Sequence, residues 1–293
     1  MKRCLNCQRA FEGVQWICPQ CGFRPVEKEH WISFAPDLAV QAEGFEAGFF
    51  EHLAPAEVGH FWFDSRNRII LWALQRFFPE AHSYLEVGCG SGYVLQNVRR
   101  HAPELQLAGS ELFDSGLVYA HQRLPDVSLY QMDARSIPFL AEFDVIGAYD
   151  VIEHIEDDER VFQEMYNALR PNGGVILTVP QHPWLWSAID DYSHHCRRYN
   201  RSDLLTKIRR AGFEVRFATS FVTLLLPLML ISRRRQPKSA QQIDPMSEFR
   251  INPLLNRALK SVLSFEHLLI RMGLSLPVGG SLFVVAQKRE TLR

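Results

Sequence analysis

The chain has no long uninterrupted apolar run, no internal repeat, no low-complexity tract and almost no net charge. Its longest apolar run, Phe221 to Ile231, contains a threonine and a proline and is too short to cross a bilayer. No basic segment followed by an apolar one stands at the N-terminus, so we expect a cytoplasmic protein that is not secreted. The formal net charge of −1 argues against a protein that binds nucleic acid through the overall charge of its chain.

Six cysteines are present, and a reducing compartment disfavours disulfides between them. Four form two Cys-x-x-Cys pairs, Cys4 with Cys7 and Cys18 with Cys21. Each such turn places two thiolates on one side of a bend, and two turns complete a tetrahedral Zn²⁺ site. A redox pair and accidental clustering are the alternatives. The pattern predicts a structural zinc ribbon over residues 1–28. Whether this ribbon binds a protein partner is left open by the sequence.

The remaining chain divides into a short connecting part and one larger domain. Residues 29–62 show no clear period and contain clustered aromatic residues, so we interpret them as a linker and an N-terminal lid. Residues 63–293 form the predicted domain, with an amphipathic insertion around residues 228–278. Near its start, Asp64 or Ser65 can cap a helix over Arg66 to Phe78.

Short apolar runs alternate with helical segments from Ser83 onward, which is typical of an α/β protein with a mostly parallel sheet. The candidate strands are Ser83–Val87, Gln106–Ser110, Ser128–Gln131, Phe143–Tyr149, Val175–Val179 and Leu282–Ala286. The candidate helices are Tyr93–Arg100, Ser115–Arg123, Asp157–Leu169, Arg201–Ala211 and Pro253–Met272.

The most informative segment is Tyr84-Leu-Glu-Val-Gly-Cys-Gly-Ser-Gly92, an apolar strand followed by three glycines at alternate positions. Glycines there let the backbone turn sharply and approach a ligand closely. A dinucleotide-binding fingerprint would place its third glycine at position 93, where Tyr93 stands. Glu86 precedes the loop, and its carboxylate attracts a sulfonium or ammonium group but repels a pyrophosphate. The loop therefore fits a cationic cofactor better than NAD.

Five segments in order resemble the class I S-adenosylmethionine-dependent methyltransferases, particularly the small-molecule and quinone-ring methyltransferases. They are the glycine loop, Ala108 to Glu111, Gln131 to Ala134, Phe143 to His154, and Leu169 to Gly174 with the strand that follows. The resemblance covers roughly residues 60–220. It implies a Rossmann-like, doubly wound sheet of seven strands and S-adenosylmethionine as the cofactor.

The resemblance also assigns cofactor contacts. It implies that Glu111 binds the ribose hydroxyls, that Asp133 reads the adenine amino group, and that Ala134 donates its backbone N–H. The other residues expected around the cofactor are Glu86, Gly88, Cys89, Gly90, Gly92, Leu112 and Asp150.

Candidates for catalysis lie in Asp150-Val-Ile-Glu-His154, in the loop where the acceptor should approach. His154 can take a proton near neutral pH. Asp150, Glu153 and His154 also have metal-ligand chemistry, and the quinone-ring O-methyltransferases that this loop resembles hold a divalent ion with a similar Glu-His pair. The alternative is a helix-capping carboxylate and a histidine packed against the sheet.

A second cluster, Trp184 to Tyr199, follows the fifth parallel strand and contributes His195 as a further catalytic candidate. The adjacent Arg197 and Arg198 suit an anionic or sugar-like acceptor, because a guanidinium binds carboxylate or phosphate bidentately. The run resembles a His-x-x-Arg-Arg-Tyr segment of bacterial methyltransferases in surface-polysaccharide and lipid pathways. The alternative is that Asp–Arg pairs staple the loop.

The apolar run that ends at Ile231 precedes Arg233, Arg234 and Arg235. An apolar edge beside arginines is what peripheral attachment to the inner face of an anionic membrane would use. The alternative is a buried strand leading to a solvated loop, followed by a lid helix that faces the core.

The sequence thus predicts an S-adenosylmethionine-dependent methyltransferase acting on a small-molecule or lipid- or sugar-linked acceptor. One alternative is an RNA methyltransferase that binds RNA through the zinc ribbon, but the ribbon is only modestly basic and no Asn-Pro-Pro-Tyr-like motif follows the fourth strand. Another is a zinc-ribbon interaction protein with a vestigial domain. The presence of Glu86, Glu111 and Asp133 argues against a lost cofactor pocket.

Overall fold

A mostly parallel sheet of nine strands lies at the centre of the computed structural model, which describes residues 1–41, 49–235 and 249–289. The strands follow the order β10-β11-β9-β8-β5-β6-β7-β4-β3, and β1 pairs with β2 separately. Their bounds are β1 Lys2–Arg3, β2 Ala10–Phe11, β3 Val26–Glu27, β4 Ile32–Ser33, β5 Ser83–Val87, β6 Gln106–Glu111, β7 Ser128–Gln131, β8 Phe143–Tyr149, β9 Leu169–Pro180, β10 Phe213–Phe221 and β11 Ser281–Lys288.

The predicted seven-stranded, Rossmann-like sheet is confirmed by β5 to β11. Strands β5 to β9 pair in parallel, and β11 runs antiparallel between β9 and β10. Two strands extend this sheet, because β4 pairs in parallel with β7 and β3 pairs antiparallel with β4. The β3–β4 hairpin crosses position 28, so the sheet includes residues from both the predicted ribbon and the predicted linker.

Helices cover both faces of the sheet. Their bounds are α1 Pro36–Gln41, α2 Phe49–Glu57, α3 Phe61–Phe77, α4 Tyr93–His101, α5 Asp114–Arg123, α6 Asp158–Ala168, α7 Ala188–Tyr192, α8 Arg201–Arg210, α9 Leu226–Arg235 and α10 Pro253–Arg271. One buried core holds apolar residues of α3, α4, α5 and α10, and the opposite core holds those of α6, α8 and the N-terminal segment. This arrangement leaves the carboxyl ends of the parallel strands free to form a site.

Five predicted helices agree with α4, α5, α6, α8 and α10 to within one residue at each end. The predicted start of α3 is wrong. This helix begins at Phe61, and the Nδ1 atom of His60 accepts a hydrogen bond from the backbone N–H of Trp62 at 3.3 Å. Asp64 does not cap it, because its carboxylate instead accepts hydrogen bonds from Tyr93 and Lys260.

The apolar run Phe221 to Ile231 belongs to two elements. Strand β10 ends at Phe221 and α9 begins at Leu226, so the interpretation of the run as a buried strand is wrong beyond Phe221. The chain leaves the sheet where the Thr223 hydroxyl donates to the carbonyl of Val278 and the Leu224 N–H donates to Glu266. Residues 236–248 of the predicted insertion, and the side chains of Arg234 and Arg235, lie outside the described part. Among the described helices, none is long and apolar enough to cross a membrane.

Candidate active site and four-cysteine module

The glycine loop between β5 and α4 has a backbone that requires glycine. Gly88, Gly90 and Gly92 have φ angles of 70°, 50° and 76°, in the left-handed region that side chains disfavour. A Cβ at Gly88 would also lie 2.4 Å from a methyl carbon of Val151. The loop therefore passes directly under the segment that follows β8, and a larger residue at Gly88 would push the two apart.

A cavity of about 640 Å³ opens above this loop, at the carboxyl ends of the parallel strands. Nine of the ten residues predicted to contact the cofactor line it: Glu86, Gly88, Cys89, Gly90, Glu111, Leu112, Asp133, Ala134 and Asp150. The tenth, Gly92, is the N-cap residue of α4, and a Cβ there would lie 3.1 Å from the backbone of Ala120. Gly92 thus does not line the cavity, and its lack of a side chain lets the loop pack closely against α5.

Two buried carboxylates face the loop from neighbouring strands. Glu111 accepts hydrogen bonds from the N–H groups of Gly90 at 3.0 Å and Leu112 at 2.8 Å, yet burial still raises its pKa. Glu86 is 2% exposed, one of its oxygens has no hydrogen-bond partner among the described residues, and burial raises its pKa well above the usual range. A buried carboxylate with one unpartnered oxygen is costly, and a cationic ligand would relieve that cost.

Arg66 on α3 is a cavity residue that the sequence analysis missed. Its guanidinium donates to a carboxylate oxygen of Asp150 at 2.7 Å and lies 4.5 Å from the ring centroid of Trp62. Asp150 also accepts from the hydroxyl of Thr178 at 3.1 Å. Arg66 therefore places a fixed positive charge among the acidic groups of the cavity. The signal in the sequence is a tryptophan four residues before an arginine on the helix that precedes the glycine loop.

At the other end of the cavity, His154 lines the wall, and Glu153 and His195 lie behind it. The three side chains offer ligand atoms that all lie within 4.8 Å of one another. Glu153 is fully buried, and neither carboxylate oxygen has a hydrogen-bond partner among the described residues. Burial, followed by the nearby His195, lowers the pKa of His154 to about 3, so its imidazole is neutral at pH 7.

His195 is oriented by Asp190. The Nδ1 atom of His195 lies 2.9 Å from a carboxylate oxygen of Asp190, and the same oxygen accepts from Arg198 at 2.7 Å. Burial opposes ionisation of Asp190, but hydrogen bonds from His195 and Arg198 outweigh it and lower its pKa to about 2. A carboxylate that fixes one imidazole nitrogen leaves the other available as a ligand or base.

Arg197 and Arg198, predicted to bind the acceptor, are engaged within the chain. Arg198 pairs with Asp190, and Arg197 pairs with Asp158 at 3.0 Å. Both arginines therefore fit the alternative interpretation, in which Asp–Arg pairs hold this segment in place.

The four N-terminal cysteines converge. The sulfur atoms of Cys4 and Cys21 are 3.6 Å apart, as are those of Cys7 and Cys18. Four thiolates bound to one Zn²⁺ at about 2.3 Å would be about 3.8 Å from one another in a tetrahedron. The two turns match in detail, because Gln8 and Gly22 follow the second cysteines with φ angles of 62° and 70°. The cluster is compatible with a structural zinc site.

The fold and the cavity define a Rossmann-like methyltransferase of class I. Residues 56–216 match the family model described as methyltransferase domain. This match covers more than half of the chain, and the chain belongs to that family of S-adenosylmethionine-dependent methyltransferases. The domain is therefore that of a methyltransferase, with S-adenosylmethionine as its cofactor.

Individual relatives agree with this assignment. A Mycobacterium tuberculosis protein named as a probable S-adenosylmethionine-dependent methyltransferase is 27% identical over 164 residues, which are 54% of this chain and 57% of the relative. A Saccharopolyspora spinosa dTDP-4-amino-2,3,4,6-tetradeoxy-D-glucose N,N-dimethyltransferase is 34% identical over 112 residues, 36% of this chain and 42% of the relative. These matches cover less than two thirds of either relative.

Among solved structures, phosphoethanolamine N-methyltransferase 2 of Haemonchus contortus, in complex with S-adenosylmethionine, superposes with a TM-score of 0.58. It is 19% identical, and the superposition covers 87% of this chain and 60% of the other. At this identity the likeness concerns the fold.

Proposed function

We propose that the enzyme methylates an oxygen atom of a small-molecule or lipid- or sugar-linked acceptor, which binds at the His154 end of the cavity. The observation that carries this proposal is the buried Glu153 carboxylate, which has no hydrogen-bond partner among the described residues and lies beside His154 and His195. Methyl transfer is an in-line displacement, for which alignment supplies most of the catalysis. A hydroxyl acceptor additionally needs help in losing its proton, whereas a neutral amine does not.

Glu153, His154 and His195 would hold a divalent cation. One carboxylate and two imidazoles are a common donor set for such ions, and Asp190 supports His195 from behind as outer groups do in metal sites. When bound there, the cation would lower the pKa of an acceptor hydroxyl. The chain's own residues hold the neutral imidazole of His154 against the cavity, and Arg66 and Asp150 line the cavity in which the methyl donor would bind.

The contacts of the four-cysteine module favour such an acceptor over RNA. Four of the five cations in residues 1–28 are engaged within the chain. The Lys2 ammonium donates to three backbone carbonyls, and Arg3 is buried against Glu164. Arg9 donates to Gln20, and Lys28 pairs with Asp114. Few positive charges therefore remain for phosphate contacts.

Radiolabel transfer tests the acceptor class. Purified enzyme with methyl-labelled S-adenosylmethionine is given total lipid extract, sugar nucleotides, phenolic compounds or RNA in separate reactions. We expect label in the lipid, sugar or phenolic arm, in a product bond that resists the conditions that cleave methyl esters, and none in RNA. Label in RNA alone, or in amines alone, would contradict the proposal.

We further propose that the surface around α9 touches an anionic membrane peripherally. Leu228 and Ile231 on α9 are about half exposed, and Trp184 is 58% exposed. The Arg233 guanidinium donates to the carbonyl of Leu185, which places α9 against the turn that carries Trp184. Exposed apolar groups beside arginines suit a negatively charged lipid surface.

Vesicle sedimentation tests this contact. We expect the protein to sediment with anionic vesicles at low salt and to be released as salt screens the charges. A Leu228→Ser, Ile231→Ser variant should sediment several-fold less. The matched control is Val14→Ser, Val118→Ser, which removes two exposed valines elsewhere and should behave as wild type. Wild-type protein that ignores anionic vesicles at low salt would show that the membrane proposal is wrong.

A further inference from the structure

The four-cysteine module packs against the segment that carries Asp133 and Ala134, which line the cofactor cavity. The module holds this segment at Ile137 to Phe139, after the two residues, and the residues that follow the module, Ser33 to Ala35, hold it at Gln131, before them. Each attachment consists of buried polar contacts, which constrain geometry more tightly than apolar packing does.

The attachment that follows the segment is made by Arg3, the residue before Cys4. Its backbone N–H donates to the carbonyl of Pro138 at 2.9 Å, and its guanidinium donates to the carbonyl of Ile137 at 2.5 Å. The guanidinium also pairs with Glu164, which is 1% exposed and accepts from the Ile137 N–H at 3.0 Å. Breaking this buried pair would leave an uncompensated charge.

The attachment that precedes the segment is made through the fully buried side chain of Gln131. Its Oε1 atom accepts from the Ser33 hydroxyl at 2.7 Å and from the Ala35 N–H at 3.1 Å. Its Nε2 atom donates to the carbonyls of Ala35 and Leu112, each at 2.9 Å. Both hydrogen atoms of the amide nitrogen are thus used, and Gln131 ties β4 to Leu112 and to the end of β7.

The cysteine turns are continuous with these attachments. Cys4 and Cys18 are buried in the same core as Trp16, whose ring lies 4.7 Å from Phe34 and 5.3 Å from Phe139 by centroids. Phe34 adjoins the Ser33 contact, and Phe139 adjoins the Arg3 contact. Four thiolates without a metal repel one another, so loss of the ion would disturb Trp16 and both attachments together.

We infer that the four-cysteine module is part of the cofactor site of this same chain, and that its metal sets the affinity for the adenosine portion of S-adenosylmethionine through Gln131 and Arg3. The module, together with residues 33–35, clamps the Asp133–Ala134 segment, which lines the cavity where the adenosine portion would bind. Gln131 and Arg3 are positioning residues, since neither lines the cavity. The inference rests on the cofactor assignment.

Titration calorimetry with two ligands tests the clamp. S-adenosylhomocysteine reports on the whole pocket, and 5′-methylthioadenosine, which lacks the amino-acid portion, reports on the adenosine end. Elemental analysis of the full-length protein should first find one zinc per chain. Removal of the metal, or Cys7→Ser, should then weaken both ligands by about tenfold, which corresponds to about 1.4 kcal/mol.

A smaller change isolates the polar contact. Ser33→Ala removes one hydrogen bond to Gln131 and should weaken both ligands by about threefold, within the usual range for one such bond. The matched control is Ser264→Ala, which removes a hydroxyl that donates at 2.6 Å on α10. It should leave both affinities unchanged. A variant that has irreversibly lost part of its folded protein would lower the binding stoichiometry and not the affinity.

The outcomes are separable. If zinc-loaded wild type fails to bind S-adenosylhomocysteine, the cofactor assignment fails. If it binds, and the metal-free protein binds equally well, the clamp is overturned and the methyltransferase stands. Iron or no metal in the purified protein contradicts the zinc module, and weakening of S-adenosylhomocysteine alone contradicts the adenosine end as the point of action.

Discussion

Replacement of His154 by alanine is expected to lower turnover by about 10²–10⁴-fold, because it removes one of the three groups that would hold the cation and so promote loss of the acceptor's proton. The affinity for S-adenosylmethionine should stay near that of wild type, because His154 lines the end of the cavity proposed for the acceptor, in front of Glu153 and His195. Steady-state turnover with the acceptor identified by radiolabel transfer, together with calorimetry for the cofactor, measures the two effects separately.

The control for this experiment is His101→Ala, since His101 is exposed at the end of α4. Glu153→Gln distinguishes a ligand set from a lone base. If three residues hold a cation, this neutral replacement should lower turnover as strongly as His154→Ala and raise the concentration of divalent ion needed. Activity of His154→Ala within about twofold of wild type would leave His154 as a histidine packed against the sheet.

Filling the glycine loop should abolish cofactor binding. Gly90→Arg places a long side chain at a position whose Cβ would already lie 3.3 Å from the Phe50 ring, on the wall of the cavity. We expect affinity for S-adenosylhomocysteine to fall by at least about 100-fold, or about 2.7 kcal/mol. Calorimetry on the folded variant measures the loss.

The matched control is Gly273→Arg. Gly273 also has a positive φ angle, of 95°, but a Cβ there would have no atom within 4 Å, and the site lies beyond α10. This variant carries similar backbone strain and the same added charge, and it should bind normally. Undiminished affinity in folded Gly90→Arg would show that the cofactor binds elsewhere.

The parts of the fold that were predictable are those with a strong local pattern. Apolar runs flanked by turn residues marked the strands of the parallel sheet, and five helices with one apolar face, α4, α5, α6, α8 and α10, were placed to within a residue. The glycine loop was recognisable because its left-handed turns and close approach to Val151 tolerate no Cβ. Nine of the residues predicted to contact the cofactor line one cavity, because neighbouring parallel strands end at one edge of the sheet.

The features that were missed depend on contacts distant in sequence. Strands β3 and β4 have two residues each, too few to show a period, and β4 pairs with a strand about a hundred positions later. The place of α3 in the cavity wall could likewise not be predicted from the sequence, because Arg66 is held there by Asp150, which lies 84 positions away. The start of α3 was misplaced because Asp64 has the preferred chemistry of a cap, but its tertiary partners Tyr93 and Lys260 take its carboxylate.

The order of synthesis gives the N-terminal attachments a further consequence. The ribosome adds 98 residues from Ser33 to its partner Gln131, and 161 residues from Arg3 to its partner Glu164. At about 5–20 residues per second, the second interval lasts about 8–30 s. The four cysteines, in contrast, need only one another, within residues 4–21. Metal capture can therefore finish on the ribosome before docking begins, whereas a thiol oxidised in that interval would leave the four-cysteine module without its metal when Trp16 packs against Phe34 and Phe139.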